Sequence, residues 1–340
     1  MKDLIYDERN KIEMVFMAAC LFSLIVSAIM GICLGSVRIP ASQLFEALIS
    51  GSETVNGRII IFARVPRVLA SLLCGGALAV SGVIIQAVLE NPLAAPSTIG
   101  VNSGAGFFAV LAMALFPENI AAVPAMAFMG AVVTTLAIYI IAVKNGASKI
   151  TLVLAGVALS NLLNAGINTI TTFFPDSLGG ITAFKIGGVM GMTLGKLYPA
   201  CLYIAVGVAV ALAFSRELDI LSLGDKTARG LGINVKIIRL ILLLAASLLA
   251  GAAVSFAGLL SFVGLIVPHM AKFFIKSGSF RLIMASCVLG AAFVTFCDTV
   301  SRVAFAPYEI QLGIIISYIG APFFIYLIMK KRGGRHGDRT

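Results

Sequence analysis

Long apolar runs alternate with short polar breaks along the whole chain, and ten such runs stand out. They cover roughly 14–34, 62–87, 97–115, 120–143, 150–173, 197–214, 237–257, 258–268, 282–305 and 312–329. A helix needs about 20 apolar residues to cross a bilayer, so the pattern predicts a polytopic all-α membrane protein of about ten transmembrane helices. The eighth run is short and almost continuous with the seventh. Gly258, Gly264 and Pro268 break it, which predicts a half-length helix. Broken backbone at membrane depth is tolerated only against protein or a cavity, so this segment is expected to face inward.

Glycine spacing adds a second level of order. Gly75, Gly82 and Pro92 recur as Gly251, Gly258 and Pro268, displaced by 176 residues each time. The recurrence predicts two related halves, about 62–173 and 237–329, within one transmembrane domain spanning 1–340. Such duplication is typical of machines that move something through the bilayer. Pro92 and Pro268 fall on the same side of the expected topology, so the repeat is expected to be parallel. Gly31/Gly35, Gly100/Gly104 and Gly187/Gly191/Gly195 read as small-xxx-small packing faces.

Composition narrows the class. Of 340 residues 60% are hydrophobic and 12% charged, with mean hydropathy +1.05, which excludes a soluble domain. The net charge of +10 sits in short clusters between apolar runs, without the aromatic-laced basic face of a nucleic-acid binder. With both termini in the cytoplasm most lysines and arginines fall inside, leaving Arg38, Arg58, Arg64, Arg67, Lys185, Lys196 and Arg302 outside. The six cysteines are dispersed with no CxxC pair, and His269 and His336 share no ligand spacing with them, so no metal site is expected. The run 14–34 reads as an uncleaved first membrane helix.

Four constellations are candidates for function. After the second run come Gln86, then Asn91-Pro92-Leu93-Ala94-Ala95-Pro96, then Gly100 to Ala105. The prolines end the helix and force an extended turn, which leaves Gln86 and Asn91 unexplained and makes them candidates for lining a translocation path. The loop 217–235 holds Gly224, Asp225, Ala228, Arg229, Leu231 and Gly232. Its spacing suggests a short amphipathic helix between glycines, lying at the interface or against a partner, with a plain solvated loop as the alternative. Arg64, Arg67 and Arg302 sit outside against the positive-inside bias. They read either as docking points for an acidic partner or as snorkelling anchors, and Arg302 lies four after Asp298. Asn161, Asn164 and Asn168 share one helix face, for interhelical hydrogen bonding or for lining a path.

What is missing also decides. No GxxxxGK[ST] sequence occurs, so the chain binds no ATP through a P-loop. No Asp, Glu or Lys lies mid-helix as an ion relay needs, and no nucleophile–base set suggests catalysis. A transporter of this kind borrows its energy from another subunit or is a passive pore.

The chain closely resembles the permease subunits of ABC importers for iron–siderophores, haem and cobalamin, the FecCD family. The resemblance rests on RVPRVLASLLCGGALAVSGVIIQAVLENPLAAPSTIGVNSGA at 64–105, GDKTARGLGIN at 224–234, AGLLSFVGLIVPHMAK at 257–272 and DTVSRVAFAPYEIQLGIIISYIGAPFFIYLI at 298–328. It implies ten helices per subunit and a homodimer or heterodimer of permeases around one pathway. It also implies two cytoplasmic ATPase subunits that hold ATP and Mg, and an extracytoplasmic binding protein that delivers the chelate. Lipid of a bacterial or archaeal cytoplasmic membrane would surround the assembly. The loop 219–234 then matches helices that seat in the ATPase, and Arg64, Arg67 and Arg302 match positions that meet glutamates of the binding protein. A stand-alone secondary transporter or channel is the alternative. Glu309-Ile310-Gln311-Leu312-Gly313 departs from the family's Glu-Leu-Pro-x-Gly, and the chain has no tryptophan.

Overall fold

The computed structural model describes residues 2–37, 39–40, 54–119, 122–144, 148–175 and 178–333. Arg38, His336 and the tail beyond 333 lie outside the described residues. Among the described residues the elements are helices joined by turns, with no strand. They are α1 (Lys2–Cys33), α2 (Val55–Val88), α3 (Val101–Leu115), α4 (Ala122–Lys144), α5 (Lys149–Phe173), α6 (Leu178–Ile186) and α7 (Leu194–Ala213). Then follow α8 (Ser215–Ser222), α9 (Asp225–Gly230), α10 (Val235–Ala257), α11 (Val263–Phe274), α12 (Ser279–Val303) and α13 (Leu312–Gly333).

Seven helices among the described residues are long and apolar enough to cross a membrane, and three shorter apolar ones (in α3, α11 and α13) accompany them. The protein is a multi-pass membrane protein. Local chemistry explains the helix ends. Thr54 opens α2 by accepting from the Gly57 N–H at 3.1 Å, and Ser148 opens α5 by accepting from Thr151 at 3.0 Å. Within α2 a π-helical stretch, Ile59–Arg64, comes just before Pro66. Pro66 has no N–H to continue the ladder, and the wider turn absorbs that gap.

Helices α2, α10, α11 and α12 form the dry centre, and glycines let their backbones meet. A Cβ at Gly82 or Gly75 would collide with the carbonyl oxygen of Gly264 or Gly290, and one at Gly264 would lie 2.8 Å from Leu78 O. Lipid is as apolar as leucine, so such close approach is what holds helices together in a membrane. Gly104 and Gly130 meet in the same way between α3 and α4. The Gly187/Gly191/Gly195 series does not work as one packing face. Gly187 and Gly191 have φ of +79° and +68°, outside any helix, and Gly191 and Gly195 have no neighbour for a Cβ within 4 Å.

The expected parallel repeat is corrected by the chain path. Ser81 of α2 donates to Ala246 O of α10 at 2.7 Å, while Arg239 at the start of α10 lies with Glu90, just past the end of α2, in one charge cluster. The helices that carry Gly75 and Gly251 therefore run antiparallel. The reason lies at Gly258, whose φ of +69° ends α10 and turns the chain back. α11 then runs alongside α2, with Gly264 beside Leu78 and Lys272 beside Gln86. The first Gly–Gly–Pro series contains no such reversal, so similar spacing hides opposite directions. The half-length helix expected at 258–268 is present five to six residues later, as α11, with Val263 to Pro268 buried.

Candidate functional site

At one end of the molecule, here the Asp225 end, α8 and α9 stand between α7 and α10. Gly224 (φ +103°) makes the corner, and Gly232 (φ +83°) closes α9 with a Schellman motif. In that motif Ile233 N donates to Ala228 O at 3.1 Å and Gly232 N to Arg229 O at 3.0 Å. Buried Ala228 pins the short helix, while Lys226, Thr227, Arg229 and Leu231 face outward. Leu223 and Leu231 stay 65% and 61% exposed on this polar surface, which suits a protein partner better than water.

Asp225 begins α9 inside a four-charge cluster. Its Oδ1 accepts from Arg239 Nη2 at 2.6 Å and lies 3.5 Å from Lys149 Nζ, and Lys149 also pairs closely with Glu90. Burial pushes the Asp225 carboxyl up, but the hydrogen bond and charge of Arg239, with the charge of Lys149, outweigh it. The net result is a carboxyl held below the ordinary value of 3.8.

Gln86 and Asn91 have partners within the chain. Buried Gln86 donates to Gly264 O and Leu265 O at 3.4 and 3.3 Å and accepts from Lys272 Nζ at 3.0 Å, tying α2 to α11. Asn91 Oδ1 accepts from Leu93 N at 3.0 Å, an Asx turn that sets the corner before Pro92. A cleft of about 350 Å³ opens beside them, lined by Gln86, Glu90, Pro92, Asp219, Lys272 and Ser279.

The arginines are placed differently from the expected docking surface. Arg64 and Arg302 are only 4% and 2% exposed. Arg64 donates to Ile32 O and Cys33 O at 2.8 and 2.7 Å and to Val37 O at 2.6 Å. Arg302 donates to Gly31 O and Leu34 O at 3.0 and 3.2 Å and pairs with Asp298 at 3.2 Å. The last carbonyls of α1 lack helical partners, and these two guanidiniums supply them. Arg67 bridges Asp298 at 3.0 Å and Glu309 at 2.7 Å. The i,i+4 spacing of Asp298 and Arg302 was visible in the sequence. The part played by Glu309 and by the α1 carbonyls was not, because those partners are remote along the chain.

Asn161, Asn164 and Asn168 lie exposed along one face of α5. Exposed Thr172 extends that face but satisfies itself, donating to Asn168 O. Lipid cannot solvate side-chain amides, so this face has to meet water or another protein. A second opening, about 630 Å³, is lined by Lys185, Ile186, Ser261, Ser317, Tyr318 and Pro322 between α6, α13 and the turn before α11. Among the described residues no three His, Cys, Asp or Glu side chains gather as metal ligands would.

Comparison with known proteins places this architecture. The model of the FecCD transport family matches residues 23–330. The chain is 33% identical over 321 residues to the Bacillus subtilis iron-uptake system permease protein FeuB, covering 93% of this chain and 96% of that one. It is 36% identical over 318 residues to the Escherichia coli ferric enterobactin transport system permease protein FepD, covering 92% and 95%. A solved inward-facing ABC transporter of metal-chelate type superposes with a TM-score of 0.82 at 25% identity, over 94% of this chain and 99% of that one. A chain of apolar helices with an outward-facing short helix at one end, matched along nearly its whole length by these permeases, belongs to the FecCD transport family.

Proposed function

We propose that the chain is the permease subunit of an ATP-driven importer. Its cargo is an iron–siderophore-type chelate, or haem or cobalamin, handed over by an extracytoplasmic binding protein. The asparagine face of α5 carries this reading from the geometry. A spanning helix that shows amides to its surroundings needs a second permease, identical or paralogous, to enclose a polar path between them. Seven long and three shorter apolar helices support ten crossings, and the basic loops support both termini in the cytoplasm of a bacterial or archaeal cell.

The energy source is two separate ATPase subunits, which hold ATP and Mg and seat on α9. The chain itself performs no catalysis. Nucleotide turnover supplies the differential free energy for switching between outward- and inward-open states. Docking of the binding protein falls to exposed groups around Arg67 and Glu309 rather than to Arg64 and Arg302, whose donors are committed to α1. Replacing 224–232 with a glycine–serine linker tests the reading. Loss of the ATPase subunit in co-purification, together with loss of uptake, is the expected result. Uptake that persists in vesicles without any ATPase subunit would instead establish a stand-alone transporter or channel.

A further inference from the structure

The exposed helix α9 and the asparagine face of α5 are joined through charged side chains. Lys149, the first residue of α5, pairs with Glu90 just beyond α2 and with Asp225, the first residue of α9. Asp225 is bonded in turn to Arg239, whose side chain is 3% exposed at the start of α10. The first turn of α5 is thus gripped from two sides, by the corner after α2 and by α9, whose Asp225 is itself held by Arg239. Beyond that grip α5 is one of the less buried long helices, with 17% of its most apolar stretch buried. Its buried residues are Leu152, Ala155, Gly156 and Ile167, three of them in the two turns nearest Lys149. Further along, Ile167 packs with Val110 of α3 and Ile181 of α6, so a small displacement of the charged foot is carried along a helix held on one face and open on the other.

Glu90 provides an independent observation. Its N–H donates to Ala87 O and the next N–H, of Asn91, donates to Gln86 O, so Glu90 occupies the left-handed corner of a Schellman motif. Its φ is +48°, a conformation for which glycine is the favoured residue. A glutamate held in that strained corner points to a use for its carboxylate, and the Lys149 ammonium is the group it touches.

We infer that Lys149, held by Glu90 and Asp225, is a positioning residue that transmits movement of α9 to the asparagine face of α5. The inference rests on the importer reading. Lysine suits the task because its three donors on a flexible stem can hold two carboxylates while the angle between helices changes.

The test uses the complete complex with its ATPase subunits in lipid nanodiscs. A nitroxide is attached to Asn168→Cys in a background lacking the six native cysteines, and ATP hydrolysis is measured in parallel. The parental spectrum is expected to change between the nucleotide-free and ATP–vanadate states. In Lys149→Gln and in Glu90→Gly that change should shrink by about fivefold or more, as for typical coupled sites, while hydrolysis continues near the parental rate. Lys149→Arg should restore it. Glu90→Gly relieves the backbone, so it keeps the test decisive if Lys149→Gln fails to assemble. An undiminished spectral change in either variant overturns the assignment, as does hydrolysis falling in step with it. A parental complex with no nucleotide response overturns the importer reading, and this assignment with it.

Discussion

Helices α2 and α5 are both long enough to cross a membrane, yet 83% of the most apolar stretch of α2 is buried within the chain and only 17% of that of α5. The polar groups of α2 are satisfied inside. Ser71 meets Thr295 at 3.0 Å, Ser81 reaches Ala246 O and Gln86 reaches α11. Those of α5 are not, since Asn161, Asn164 and Asn168 face out. Small residues let α2 be sealed by backbone contact, whereas amides along α5 require something the single chain does not supply. The contrast separates a helix that holds the subunit together from one whose partners lie elsewhere.

Breaking the sealed side should have the largest effects. Asp298→Ala leaves Arg67 and Arg302 without their shared buried carboxylate, and losing one partner of a buried ion pair costs about 3–5 kcal/mol. Thermal unfolding in detergent should show a large fall in midpoint. Next comes Gly82→Ala, which drives a methyl into the Gly264 carbonyl. Overpacking of this kind costs about 1–3 kcal/mol. Gly195→Ala, with open space around it, is the control and should leave the midpoint unchanged. On the open side, Asn164→Leu should alter the stability of the isolated permease by no more than about 0.5 kcal/mol, because that side chain is exposed. Uptake by the assembled transporter should nevertheless fall. A drop in midpoint comparable to that of Gly82→Ala would erase the contrast.

The smallest effect concerns the foot of α5. The folded-state pKa of Asp225 lies below its ordinary value of 3.8. Its contribution to stability is therefore fully present above that value and lost as pH falls through the lower folded-state value. Protection against hydrogen exchange across 225–231, taken relative to the intrinsic exchange rate at each pH, should hold above pH 3.8 and fall below it. In Asp225→Asn that dependence on pH should disappear.

The two regions also differ in how far the sequence announced them. Glycine spacing announced the close approach at Gly104, but at Gly75 and Gly82 it announced a repeat and not the packing found there. The same spacing misled on direction, since one positive φ at Gly258 reverses the chain without altering the pattern. The short helix at 225–230 was legible from its flanking glycines and from Asp225 and Ala228. Its anchors, Lys149 and Glu90, were not, because each is a lone charge whose partner is distant in sequence. Arg64 and Arg302 were read only as docking points or snorkelling anchors for a similar reason. Carbonyl groups at the end of α1 leave no trace in side-chain identity, so nothing marked them as the acceptors of Arg64 and Arg302.

The polar face of α5 is tested most directly by a cysteine scan through residues 160–169 of the assembled transporter in membranes, using a membrane-impermeant thiol reagent. Positions 161, 164 and 168 should react at rates that change when ATP binds, while position 162, where exposed Leu162 would face lipid, should stay unreactive. Uniform protection of all ten positions, or reactivity without helical period, would contradict a water-filled path along this helix.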